Sequence, residues 1–83
     1  MNIEFDPEKD EINVEKHGLS LARAVDLDVI AYVSDDRFAE PRFRLYGLID
    51  GVAWCAAGTD RGGVVRIISL RRAHAKEMRR HAP

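Results

Sequence analysis

Between Arg71 and the chain's end at Pro83 lie five basic side chains, Arg71, Arg72, Lys76, Arg79 and Arg80, and two of the three histidines, His74 and His81. Glu77 stands among them. Guanidinium groups bind phosphate or carboxylate oxygens bidentately, and histidines and carboxylates exchange protons. The grouping is therefore either half of a polyanion site or a solvated helical end. On a helix, His74, Met78 and His81 share one side and Glu77 precedes His81 by one turn. That spacing allows Glu77 to orient or charge His81, or to form an ordinary ion pair with Arg80 or His81. Ala75, Met78 and Ala82 give only a thin apolar stripe to dock such a helix.

A second basic group is set by a hairpin. Asp50-Gly51 joins two strand-like runs, 42–49 and 52–59, and a two-residue loop of this kind fixes the register. With Ile49 opposite Val52, Arg44 faces Ala57 and Arg42 faces Thr59. Arg42, Arg44 and Tyr46 then project together over Cys55, Ala57 and Thr59, while Phe43, Leu45, Val52 and Trp54 point to the core. A symmetric turn over 60–63 would set Arg66 beside Ala57 on the same face. The result is a trough walled by guanidinium groups; the plainer alternative is a solvent face on which arginines lie flat over alanines.

The elements that must position these groups follow from local signals. Asp6-Pro7-Glu8 starts a helix that runs to about His17 and stops at Gly18. Ser20 caps a second, short helix through Ala24 and Val25. Ile3 to Phe5 form one short strand, and from Val29 the pattern becomes β, with strands over 29–33, 42–49, 52–59 and 64–70. Helix and strand do not alternate. The fold class expected is α+β, with two N-terminal helices, a central four-stranded antiparallel sheet and a C-terminal helix, in a single domain over 1–83.

Charge divides the 83-residue chain. Residues 1–36 hold three basic side chains against ten acidic ones, a balance of −7, and residues 37–83 hold ten against four, a balance of +6. This asymmetry fits an anion-binding C-terminal half beside an acidic half that limits nonspecific attraction, or simply two solvated faces. The lone Cys55 excludes an intrachain disulfide and reads as a packed strand residue. No segment resembles a signal peptide or a membrane span, so a cytoplasmic protein without membrane contact is expected. Histidines and cysteine lack metal-ligand spacing, no glycine-rich phosphate loop opens a helix, and no Ser-His-Asp arrangement stands out. Neither a metal nor a cofactor is expected.

Taken together, Phe5-Asp6, Lys9, Asn13, Lys16-His17-Gly18-Leu19-Ser20, Glu40 and Arg42 ahead of Gly47, and Arg66-Ile67-Ile68-Ser69-Leu70-Arg71-Arg72-Ala73 with Glu77 form a pattern. It resembles the BrnT family of bacterial toxins within the wider RelE/ParE-like superfamily, almost end to end. The resemblance implies metal-free cleavage of RNA that arrests translation. It also implies a BrnA-like ribbon-helix-helix antitoxin that blocks the toxin and joins it in repressing their promoter. The family's motif implies Arg42, Arg66, Arg71 and Arg72 for phosphate binding and Lys16, His17 and Glu77 for proton transfer. With the residues' own chemistry added, the catalytic candidates are Lys16, His17, Arg66, Arg71, Arg72, Glu77 and His81, and the RNA-binding ones Arg42, Arg44, Arg61, Arg79 and Arg80. Two positions depart from the pattern: Phe5 replaces a usual tryptophan, and His81 replaces a usual tyrosine. Histidine can transfer protons but stacks less well on a base. The alternatives are a catalytically silent module of the same fold that binds nucleic acid or protein as a monomer or a homodimer, and a ParE-like toxin directed at DNA gyrase.

Overall fold

A computed structural model describes all of residues 1–83. Its elements are β1 (Ile3–Glu4), α1 (Pro7–His17), a 3-10 helix (Leu21–Asp26), β2 (Asp28–Asp35), β3 (Arg42–Ile49), β4 (Val52–Arg61), β5 (Val64–Arg72) and α2 (Ala75–His81). The fold is α+β, but two features differ from the sequence reading. The sheet has five strands in the order β1-β5-β4-β3-β2, and β1 joins β5 in parallel, so it is mixed rather than four-stranded and antiparallel. The second N-terminal helix is a 3-10 turn rather than an α-helix. It is only six residues long, too short to repay α-helix nucleation, and Ser20 and Leu27 bound it closely.

Local grammar determines α1. Asp6 accepts a hydrogen bond from the Glu8 N–H at 2.9 Å, Pro7 occupies the first turn, and Gly18 closes the helix at φ 77° with its N–H donated to the Val14 carbonyl. Only Asn13 of this helix is buried. Its amide donates to the carbonyls of Leu70 and Leu19, both at 2.8 Å, and its oxygen accepts from the Leu70 N–H at 3.1 Å. β1 covers only the start of β5, at Val65 and Arg66. Further along, the Asn13 amide substitutes for a neighbouring strand and satisfies the open edge.

The Asp50-Gly51 hairpin has the register expected from its two-residue loop: Ile49 opposite Val52, Tyr46 opposite Cys55, Arg44 opposite Ala57 and Arg42 opposite Thr59. Both loop residues have positive φ, 51° at Asp50 and 78° at Gly51, which matches the right-handed strand twist. The second hairpin is tighter than the sequence reading. Its loop is Gly62-Gly63, with Arg61 paired to Val64, so Arg66 lies opposite Thr59 rather than beside Ala57. Two consecutive glycines at positive φ permit the two-residue turn, and the strands extend to meet it. Past Gly58 and Ile67 the register shifts by one residue, leaving Ile68 as the extra residue of a bulge.

Alternation then gives the sheet two unlike faces. One carries Phe43, Leu45, Ile49, Ala56, Ile67 and Leu70, which pack with Leu21, Ala24 and Leu27 of the 3-10 segment to form the core. The other presents three cross-strand rows: Arg42, Thr59 and Arg66; Arg44, Ala57 and Ser69; Tyr46, Cys55 and Arg71.

Candidate functional site

α2 lies at the end of the open face, and polar groups hold it there. Neither Ala75, Met78 nor Ala82 is buried. Glu77 anchors the helix instead. Its Oε1 accepts from Arg71 Nη1 at 2.8 Å and from the His74 N–H at 3.0 Å. Its Oε2 accepts from Arg71 Nη2 at 2.9 Å and from the Tyr46 hydroxyl at 2.8 Å. Arg44 Nη1 in turn donates to the Tyr46 hydroxyl at 3.1 Å. His81 completes the group, its ring stacked on Tyr46 with centroids 5.0 Å apart and planes 21° apart. The ion pair of Glu77 is thus with Arg71 on β5, not with Arg80 or His81 on its own helix, as local spacing alone allowed.

The electrostatics follow from these bonds. The Arg71 guanidinium holds the Glu77 carboxyl far below the ordinary carboxylate range, helped by the His74 N–H and the Tyr46 hydroxyl and opposed by burial. The same fork raises Arg71 further above its already high value. Burial, followed by the carboxylate beside it, pushes the Tyr46 hydroxyl up to about 12. Burial also raises the Cys55 thiol, and that side chain is 1% exposed, in keeping with a packing role. A carboxylate accepting four strong donors is a poor proton acceptor near neutral pH. Glu77 is built to hold Arg71 and Tyr46 in place.

Two depressions meet at Ile68 and Ser69 of β5. The first, about 250 Å³, opens beside Arg42, Arg44 and Ala57 and is rimmed by Asp35, Arg37 and Phe38. The buried Nε atoms of Arg42 and Arg44 have no hydrogen-bond partner there. The second, about 180 Å³, lies against α1 and is lined by Lys9, Ile12, Asn13, Lys16 and His17. The bulge at Ile68 places one strand segment between the two basic groups.

The structure separates the sequence-derived residues accordingly. Arg44, Arg71, Glu77 and His81 come together around Tyr46, and Arg42 borders them. Lys16 and His17 sit across the Ile68–Ser69 segment, both exposed. Arg66 shares the open face but reaches Glu4 of β1 at 3.5 Å. Arg61 is engaged by Glu40 through Nε at 3.0 Å. Arg72 belongs to the opposite face, opposite Trp54, with its guanidinium 5.7 Å from that ring. Arg79 and Arg80 are exposed on α2. Tyr46 is the joint of the cluster; strand alternation had placed it beside Arg44, but its link to Glu77 spans 31 residues and has no sequence signature. Phe38 and Ser69 line the depression too; Ser69 lies within the Arg66–Ala73 motif but had no role assigned, and Phe38 had no motif to mark it. No three His, Cys, Asp or Glu side chains gather as a ligand set.

A cation-rich face, open above a small mixed sheet and organised around a clamped carboxylate, has the chemistry that suits anions. The protein's class is narrower than that. A family model, the ribonuclease toxin BrnT of type II toxin–antitoxin systems, matches residues 5–77, and the chain belongs to this family. The crystal structure of the Brucella abortus ribonuclease toxin BrnT is similar to it with a TM-score of 0.69 at 26% identity, over 89% of this chain and 97% of that one. No curated protein matches. A toxin of this type has RNA as its substrate and an antitoxin as its partner. No helix is long and apolar enough to cross a membrane.

Proposed function

We propose that this chain cleaves RNA at the open sheet face without a metal ion, with His81 acting on the attacking 2′-hydroxyl and Arg44 and Arg71 on the scissile phosphate. The observation that carries the proposal is the bonded series Arg44–Tyr46–Glu77–Arg71 with His81 stacked on its central ring. Cleavage of this kind needs a proton acceptor for the ribose 2′-hydroxyl, cations for the phosphorane and a proton donor for the departing 5′-oxygen. His81 takes the 2′-proton as that oxygen attacks phosphorus. Arg44 and Arg71 balance the charge that develops, their directions fixed by Tyr46 and Glu77, so little ordering remains to be done when substrate arrives. Lys16 or His17, across the Ile68–Ser69 segment, protonates the 5′-oxygen as its bond to phosphorus breaks. The products are a 2′,3′-cyclic phosphate and a 5′-hydroxyl end. Arg42, Arg61, Arg66, Arg79 and Arg80 contribute attraction for the strand, and Arg72 does so from the far face.

The partner we assign is a BrnA-like ribbon-helix-helix antitoxin, acting in the cytoplasm, that covers the open face and excludes RNA. The test is cleavage of a labelled RNA by the purified toxin in the presence of EDTA. Undiminished cleavage leaving cyclic phosphate and 5′-hydroxyl ends is the expected result. Loss of activity with EDTA, or 5′-phosphate ends, would overturn the metal-free route. RNA bound but never cleaved, with or without ribosomes, would leave the chain a binding module of the toxin fold.

A further inference from the structure

The loop between β2 and β3, residues 36–41, holds a phenylalanine out toward solvent. Phe38 is 44% exposed, yet the loop that carries it is pinned on both sides. Before it, Arg37 grips Asp35 through Nε at 2.9 Å and Nη2 at 2.7 Å. After it, Glu40 accepts from Arg61 Nε at 3.0 Å and from Thr59 Oγ1 at 3.2 Å, and Thr59 is itself 1% exposed. The Arg42 guanidinium lies over the ring, 4.0 Å from its centroid. The ring also borders the depression lined by Arg42 and Arg44, whose buried Nε atoms have no hydrogen-bond partner. An apolar ring fixed at the lip of a cationic hollow leaves unburied surface that a flat apolar ligand with an anionic neighbour would cover.

We infer that Phe38 is a stacking platform for one unpaired nucleobase of a bound single strand, with the phosphate next to that base seated against Arg42 and Arg44. The inference rests on the ribonuclease reading and adds to it a subsite that adjoins the Tyr46 cluster through Arg44. A base inside a duplex is already stacked, so only an unpaired one can reach the ring. The two ion pairs, Arg37 with Asp35 and Arg61 with Glu40, fix the loop, so the ring needs little ordering on binding.

The test uses a short 2′-O-methyl oligoribonucleotide, which lacks the attacking hydroxyl and cannot be cleaved, and an abasic oligomer of the same backbone and length. Phe38→Ala should weaken binding of the base-bearing strand about tenfold and leave the abasic one unchanged, as base–aromatic stacking predicts. Phe38→Trp should retain or improve affinity for the first strand. Equal losses on both oligomers would show that the ring acts only by holding Arg42 and would overturn the platform. No loss on either would overturn it too, leaving the ribonuclease reading intact and the ring free for a protein partner. Failure of the unsubstituted protein to bind either strand would overturn both readings.

Discussion

The two faces of the sheet are made from the same strands and solve opposite problems. On the closed face, Phe43, Leu45, Ala56, Ile67 and Leu70 meet the 3-10 segment and lose their water, a non-directional gain that follows buried area. On the open face, Arg44, Tyr46 and Arg71 alternate with the small residues Cys55 and Ala57, and order comes from directed bonds to one carboxylate. The closed face stabilises; the open face spends its specificity on charge held in position. Neighbouring residues of one strand can therefore differ completely in consequence, as Arg71 and Arg72 do.

That pair gives the sharpest way to break the comparison. Arg71→Ala should reduce RNA cleavage by about 100-fold or more, the effect of deleting one aligned charge donor. Arg72→Ala, changing an exposed side chain on the other face, should stay within about threefold. Equal effects in a single-turnover assay would mean that strand alternation does not organise the site.

On the closed face, the largest expected loss is of stability. A Cβ on Gly47 would stand 2.1 Å from the Asp28 carbonyl oxygen, where β2 crosses beside its bulge. Gly47→Ala should therefore destabilise by about 3 kcal/mol, read from the urea midpoint, because backbone cannot yield as a side-chain tip can. A change below about 0.5 kcal/mol would show that β2 is loosely held.

A smaller effect should appear in acid. Glu77 is held below its ordinary value of 4.5, so folding releases its proton and its contribution to stability is complete above that pH. The contribution disappears as pH falls below it. Asp35, held down to about 2 by Arg37, and Glu40 add slopes of the same sign. The difference between the unsubstituted protein and Glu77→Gln isolates the one carboxylate: their thermal midpoints should be furthest apart above pH 5 and converge toward pH 2. Parallel curves would remove Glu77 from the anchoring of α2. The mildest change is expected from Arg79 and Arg80, exposed on α2. Replacing both with Ser should lower the salt dependence of RNA binding by about one unit of slope while cleavage of bound RNA persists.

Much of this was legible locally. Asp6, Pro7 and Gly18 bound α1 because capping and φ preferences act within a few residues, and Asp50-Gly51 set the β3–β4 register because few sequences tolerate two positive φ angles in succession. That register alone brought Arg42, Arg44 and Tyr46 to one face. The Arg66 position was missed because an unbulged, four-residue turn was assumed, and the preference for Gly62-Gly63 with a bulge at Ile68 is settled by how β5 meets both β4 and α1.

The sequence by itself determined the helix limits, the hairpin register and the supply of cations to the C-terminal half, since each depends on backbone preference or composition. Only tertiary structure decided which partners those groups found. The parallel pairing of Ile3 with Val65, the hold of Asn13 on Leu70 and the choice of Arg71 and Tyr46 by Glu77 join distant positions. Each selection depends on the whole sheet being assembled, because a buried or half-buried polar group takes the partner that packing leaves within reach.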